Sequence, residues 1–171
     1  MKRAPINAAP PASAVASLAD QIKSLLNECW LAQIYREQIL KTRTRSYHFG
    51  VLPRRARVEI QHTLLGVELK VGRRRFLCPD LATARYLSVF VRAGCTDIAL
   101  PYDITQLSRF ADELESAWHR MLLLIDHNAP ETLRTRIRGL LIAKLRTEIA
   151  EAGAGPAVPE FKQSTRQSSS G

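Results

Sequence analysis

Apolar side chains recur with the period of an α-helix over long parts of the chain. The clearest stripe covers residues 107–125 and follows Asp103, which is the predicted N-cap of its helix. A second stripe follows Pro130 and predicts the last helix of the chain. Because only a short link joins them, the two helices are predicted to pack as an antiparallel pair. Tyr102, next to the N-cap, is interpreted as part of the helix start rather than as a ligand contact.

Two shorter helices are predicted upstream of this pair. One begins after Asp80 as its N-cap and ends at Gly94, a residue suited to the left-handed conformation that closes a helix. The other is predicted over residues 17–41, with Ser17 and Asp20 at its start as a capping box.

Between the first two helices, apolar and polar side chains alternate strictly over residues 57–64 and again over 67–71. This alternation is typical of strands that bury one face. A turn at 65–66 is predicted to join them into a hairpin, with His62 opposite Leu69 and packed as a core residue. The predicted buried face holds Val58, Ile60, Leu69 and Val71, and the predicted solvent face holds Glu59, Glu68 and Lys70.

The order of elements predicts an α/β fold. A third run over 74–78 extends the hairpin into a meander, and a helix separates it from a buried strand over 97–100. A helix between two strands suggests a crossover, and therefore a parallel pairing in one small mixed sheet. We predict a single domain over 14–152, between a flexible Ala/Pro-rich arm at 1–13 and a disordered tail at 153–171.

Composition narrows the class of protein. The chain has 171 residues, of which 46% are hydrophobic and 24% charged, so it can bury a core and is not expected to be disordered as a whole. No apolar run approaches the ~20 residues that span a bilayer, and prolines interrupt the N-terminal stretch where a signal peptide would need one. The three cysteines form no CxxC pair, which favours a reducing, cytoplasmic location over a disulfide framework or a zinc site.

The net charge of +9 is concentrated in one segment. Residues 41–76 carry ten basic and two acidic side chains, a net charge of +8 over 36 residues. Such asymmetry suggests a face that meets a polyanion. Eight of the ten basic residues are arginines, which suit bidentate phosphate contact. They are Arg43, Arg45, Arg54, Arg55, Arg57, Arg73, Arg74 and Arg75.

Three interpretations of this segment stay open. In the leading one, the chain is a non-catalytic protein that contacts RNA or DNA phosphates, with Tyr47, His48 and Phe49 available to stack on bases. In the second, the basic face meets an acidic protein and the chain acts as an adaptor. In the third, the arginines only make the surface soluble or dock on the acidic 77–129 region of the same chain.

A catalytic alternative depends on Glu59, Glu68 and Lys70. An acid followed by Glu-x-Lys on the next strand can hold a divalent metal and position a water molecule. With the order helix, strands, helix, strand, residues 17–101 resemble the core of the restriction-endonuclease-like nucleases. That resemblance implies a magnesium-dependent nuclease, although Glu59 stands where the family has an aspartate.

The remaining chemistry-bearing residues favour binding over catalysis. No P-loop, glycine-rich dinucleotide turn or Ser-His-Asp order is present. His119 and His127 are eight residues apart on a helix, a poor spacing for one metal ion. Cys78 and Cys95 are interpreted as core thiols. No cofactor is expected outside the nuclease alternative, and no membrane partner is expected.

Trp118 lies in the middle of the longest apolar stripe, so we predict that its side chain is buried. Trp118→Ala is expected to lower the free energy of unfolding by about 3–5 kcal/mol, as measured by urea denaturation. A loss below about 1 kcal/mol would mean that this stripe faces solvent.

Overall fold

The chain folds into two small antiparallel sheets surrounded by helices, which confirms the predicted α/β class. The computed structural model describes residues 10–53 and 55–155. The strands are β1 (Thr44–His48), β2 (Val58–Thr63), β3 (Gly66–Val71), β4 (Arg74–Cys78) and β5 (Asp97–Pro101). The helices are α1 (Ala12–Leu26), the single turn α2 (Leu31–Ile34), α3 (Leu81–Ala93), α4 (Ile104–Asn128) and α5 (Glu131–Ala152). A 3₁₀ turn (Asn27–Cys29) precedes α2 and a π-helical turn (Tyr35–Ile39) follows it.

Helices α3 and α4 begin at the predicted N-caps. The Asp80 carboxylate accepts the Thr83 N–H at 2.7 Å, and the Asp103 carboxylate accepts the Thr105 N–H at 2.8 Å. Each bond satisfies a backbone donor that the first helical turn leaves unpaired. Gly94 closes α3 in the left-handed conformation, at φ +75°.

The first helix differs from its prediction. It begins at Ala12, with Pro11 as N-cap, and the proposed capping box at Ser17 lies inside it. Asp20 instead pairs with Lys144 of α5. The helix ends at Leu26 rather than near residue 41, because Asn27 takes a positive φ of +46° and turns the chain. Residues 1–9 of the predicted arm and 156–171 of the predicted tail lie outside the described residues, and the single-domain division stays a prediction.

The turn of the β2–β3 hairpin lies one residue before its predicted position. Thr63 pairs with Gly66 and His62 with Val67, so Leu64 and Leu65 form the turn. The predicted pairing was two residues out of step, and such a shift leaves every side chain on the same face. Alternation alone therefore does not distinguish the two registers. In the observed turn Gly66 takes a φ of +128°, which would strain any other residue.

The two faces of the hairpin are as predicted. Leu69 and Val71 are buried and Val58 and Ile60 are partly buried on one face, while Glu59, Glu68 and Lys70 share the other. His62 is exposed, so its predicted role in the core is wrong. It lies beside the hairpin tip, where the turn residues are exposed as well.

The predicted parallel pairing is absent from the described residues. β5 pairs antiparallel with β1, and β2, β3 and β4 form a separate antiparallel sheet. At the middle of β5, the Ala99 N–H donates to the Tyr35 hydroxyl at 2.9 Å, and the Tyr86 hydroxyl donates to the Ala99 carbonyl at 2.6 Å. Side chains therefore take the backbone groups that a further strand beside β5 would use.

The core lies between the sheets and the helices. Helix α3 packs on the buried face of the β2–β3–β4 sheet and on α4. The two C-terminal helices contact each other, but α4 packs mainly on α3 and α5 mainly on α1. Trp118 is 8% exposed, which confirms its predicted burial. Within the described residues, no helix is both long enough and apolar enough to cross a membrane.

The Tyr35 hydroxyl offers a test of how β5 is held. It accepts the Ala99 N–H and donates to the Gly153 carbonyl at 2.5 Å, and burial raises the pKa of Tyr35 to about 12. Tyr35→Phe leaves a buried N–H without an acceptor, so the free energy of unfolding should fall by about 1–3 kcal/mol. Tyr102→Phe removes a hydroxyl from a half-exposed ring and is the matched control, with an expected change within about 0.5 kcal/mol. Equal losses of unfolding free energy in Tyr35→Phe and Tyr102→Phe would contradict the role of the Tyr35 hydroxyl in holding β5.

Candidate nucleic-acid interface

The loop between β1 and β2 folds onto the turn between β3 and β4. The Gly72 N–H donates to the Arg57 carbonyl at 3.1 Å, and Arg74 Nη1 donates to the Val51 carbonyl at 3.3 Å. A Cβ at Gly72 would lie 3.5 Å from Pro53 Cγ, which shows how closely the loop approaches. These contacts bring together two arginine groups that lie apart in the sequence: one in the loop (Arg55 and Arg57) and one at the turn and the start of β4 (Arg73, Arg74 and Arg75).

A third arginine group lies at the start of β1. The guanidinium carbons of Arg43 and Arg45 lie 5.1 and 5.8 Å from the centre of the Tyr102 ring. The ring is held in place because the Tyr102 N–H donates to the Arg43 carbonyl at 3.1 Å. Cation–π attraction therefore holds two positive charges close to one ring, in a residue that is 47% exposed.

A chain of aromatic rings links this group to Arg74: Tyr47 packs edge-on against Phe49, Phe49 packs edge-on against Phe76, and the Arg74 guanidinium lies over the Phe76 ring. Burial raises the pKa of Tyr47, while the positive charges of Arg45 and Arg74 act on that pKa in the opposite direction. We call the exposed arginines of the three groups the arginine surface: Arg43, Arg45, Arg55, Arg57, Arg73, Arg74 and Arg75. Arg74 lies on the face of the β2–β3–β4 sheet that carries Val71, and Arg75 lies on the face that carries Lys70.

Two members of the arginine surface are paired with carboxylates. Arg57 Nε lies 2.7 Å from Glu59 Oε1, and Arg75 Nη1 lies 3.6 Å from Glu68 Oε2. Among the described residues, no carboxylate forms an ion pair with the other five, Arg43, Arg45, Arg55, Arg73 and Arg74. Arg54, the remaining predicted contact, lies outside the described residues.

The aromatic residues near the arginine surface differ in their access to a ligand. Phe49 is 1% exposed and packs edge-on between Tyr47 and Phe76, so its predicted stacking on bases is wrong. The predicted aromatic contact that stays exposed is His48, with Tyr47 only partly exposed. Tyr102 was not predicted to belong to this surface, because its contact with the arginines depends on the pairing of β5 with β1.

The three residues of the nuclease alternative do share one face. Glu59 lies directly opposite Lys70, and Glu68 lies opposite Gln61. Glu59 is paired with Arg57, and its Oε2 also accepts from Gln61 Nε2 at 3.3 Å. Glu68 Oε2 is buried and accepts no hydrogen bond from the described residues, and Arg75 Nη1 lies 3.6 Å from it. A divalent cation bound at Glu59 would have to displace Arg57. In the described part of the chain, no three His, Cys, Asp or Glu side chains are grouped to hold a metal ion.

The cysteines at the ends of α3 are buried, as predicted. Cys78 is 2% exposed and Cys95 is 3% exposed. Burial raises the pKa of both thiols, that of Cys95 to about 12. A thiol needs to ionise to act as a nucleophile, so both residues are poorly suited to covalent chemistry.

No protein-family model, curated protein or solved structure matches the chain. Function is therefore inferred from the side chains of the arginine surface and their surroundings.

Proposed function

We propose that this protein binds nucleic acid without catalysis and that the arginine surface contacts the phosphates of RNA or DNA. The observation that carries the proposal is the group of five exposed arginines that no described carboxylate pairs with, Arg43, Arg45, Arg55, Arg73 and Arg74. Gathered, unneutralised guanidinium groups attract a polyanion and suit its phosphate oxygens in geometry.

The surroundings of these arginines support contact with phosphate rather than with base edges. Arg73 lies on a two-residue turn, and Arg55 lies on the loop that packs against it. Neither position is on a helix, and the β3–β4 turn is packed against the loop instead of projecting freely. We therefore propose binding that depends little on nucleotide sequence.

Catalysis is not part of the proposal. Glu59 is paired with Arg57 at 2.7 Å, and that contact competes with metal binding. The strand that would complete a nuclease-like core pairs with β1 instead of with the meander.

A double variant that combines Arg55→Ala with Arg73→Ala should bind nucleic acid more weakly, and to a similar degree for all nucleotide sequences. In a plot of log K against log salt concentration, the slope should become shallower by about 1.8 for a duplex and about 1.4 for a single strand, because two phosphate contacts are lost. The measurement is fluorescence anisotropy with a labelled oligonucleotide over a range of salt concentrations. Stability should change by less than about 0.5 kcal/mol, since both side chains are exposed and unpaired.

Arg136→Ala with Arg138→Ala is the matched control. Both residues are exposed on α5, so this variant loses the same net charge away from the arginine surface. Equal weakening by both double variants would mean that overall charge, not this surface, governs binding. A complex with an acidic protein that survives nuclease treatment, together with absence of oligonucleotide binding, would contradict the proposal.

Glu59→Gln separates binding from the nuclease alternative. The change releases Arg57 from its ion pair, so oligonucleotide affinity should rise by about twofold to fivefold, the scale of one exposed charge contact. The anisotropy measurement above is repeated beside an assay for magnesium-dependent cleavage. Magnesium-dependent cleavage by the unmodified protein that this variant lacks would instead support the nuclease.

A further inference from the structure

A histidine is held in a defined orientation beside the arginine surface. His48 is the last residue of β1, and its Nδ1 lies 2.5 Å from Oδ1 of Asp97, its partner across the β1–β5 pair. The other carboxylate oxygen of Asp97 accepts from Thr96 Oγ1 at 3.0 Å. The hydrogen bond from His48 lowers the pKa of Asp97, so this carboxylate stays ionised and accepts the Nδ1 proton. The second ring nitrogen, Nε2, is left for another contact.

Nε2 of His48 and the guanidinium of Arg74 converge on one point above Gly50. The nearest atoms to a Cβ built on Gly50 are Arg74 Nη1 at 3.4 Å, Arg74 Nη2 at 3.9 Å and His48 Nε2 at 3.9 Å. All three are nitrogens that donate hydrogen bonds when His48 is protonated. Because residue 50 is a glycine, no side chain of its own fills the space between them.

The charges around this point favour an anion. Arg74 has no carboxylate partner among the described residues; its guanidinium lies over the Phe76 ring at 5.0 Å and donates to a backbone carbonyl. Asp97 of β5 contacts His48, and Arg74 of β4 shares the space above Gly50 with it. A further positive charge, Arg146 of α5, lines a surface cavity together with Asp97. The negative group in this set, Asp97, lies on the Nδ1 side of the ring.

We infer that His48 and Arg74 hold one phosphate group of the bound nucleic acid above Gly50, and that binding there is coupled to protonation of His48. The inference rests on the proposed function and deepens it. With Nδ1–H bonded to Asp97, a neutral imidazole presents a lone pair at Nε2, which repels a phosphate oxygen. Protonation converts Nε2 into a charged donor, so affinity rises as the pH falls.

Inorganic phosphate alone is enough to measure this coupling. If phosphate binds the protonated ring more tightly than the neutral ring, bound phosphate must make the ring easier to protonate, because linkage is reciprocal. The experiment follows the histidine ring resonances of the full chain by NMR between about pH 5.5 and 8.5. Phosphate is compared with chloride at equal ionic strength. Phosphate should move the titration midpoint of the His48 resonance upward by about 0.5 pH units, the scale of one exposed charge contact. His48→Gln assigns the resonance by removing it.

Two controls isolate the site. Arg74→Ala should abolish the phosphate-dependent movement of the His48 midpoint. The resonance of His62, an exposed histidine at the hairpin tip, should not move in either protein. An unmoved His48 midpoint, or one that still moves in Arg74→Ala, would overturn the inference.

Oligonucleotide affinity supplies a second measurement. At fixed salt, the unmodified protein should bind about twofold to threefold more tightly at pH 6 than at pH 8, as a midpoint shift of about 0.5 pH units implies. His62→Gln should keep this dependence and His48→Gln should lose it. Persistence of the full dependence in His48→Gln would overturn the inference while leaving the proposed function intact. A phosphate-dependent shift without oligonucleotide binding at any pH would support the phosphate site and overturn the proposed function.

Discussion

The arrangement of the molecule depends on how the backbone of Ala99, in the middle of β5, is satisfied. A buried N–H or carbonyl without a partner is costly, and a strand in the core must find partners on both of its edges. One edge of β5 pairs with β1, and at Ala99 the hydroxyls of Tyr35 and Tyr86 serve the other. Because Tyr35 also donates to the Gly153 carbonyl, the same contact ties the end of α5 to β5.

The candidate interface follows from this constraint. With its other edge occupied, β5 accepts β1 as its strand partner, and that pairing places Tyr102 beside Arg43 and Asp97 beside His48. The chain then leaves β1 through a loop that packs on the β3–β4 turn, which delivers the remaining arginines to the same region. The site therefore lies where the two sheets come together.

The arginine surface is organised by contacts that leave much of its charge unneutralised. An aromatic ring positions Arg43 and Arg45, and a backbone carbonyl together with the Phe76 ring positions Arg74. None of these contacts cancels a positive charge, unlike the carboxylates beside Arg57 and Arg75. Like charges held close together repel, and this repulsion is relieved when a polyanion binds and is screened when salt is added.

The sequence by itself determined the features that depend on near neighbours. The N-caps Asp80 and Asp103, the burial of Trp118 and the two faces of the hairpin follow from local hydrogen bonding and from periods of 3.6 and 2. The concentration of positive charge in residues 41–76 is also evident from the sequence alone. Tertiary structure alone decided the hairpin register, because a shift of two residues leaves a period of two unchanged. It also decided the partner of β5, since a tyrosine hydroxyl that replaces a strand has no periodic signature. For the same reason, only the folded chain shows which arginines are paired with carboxylates and that His48 lies beside Arg74: these contacts join residues that are distant in sequence.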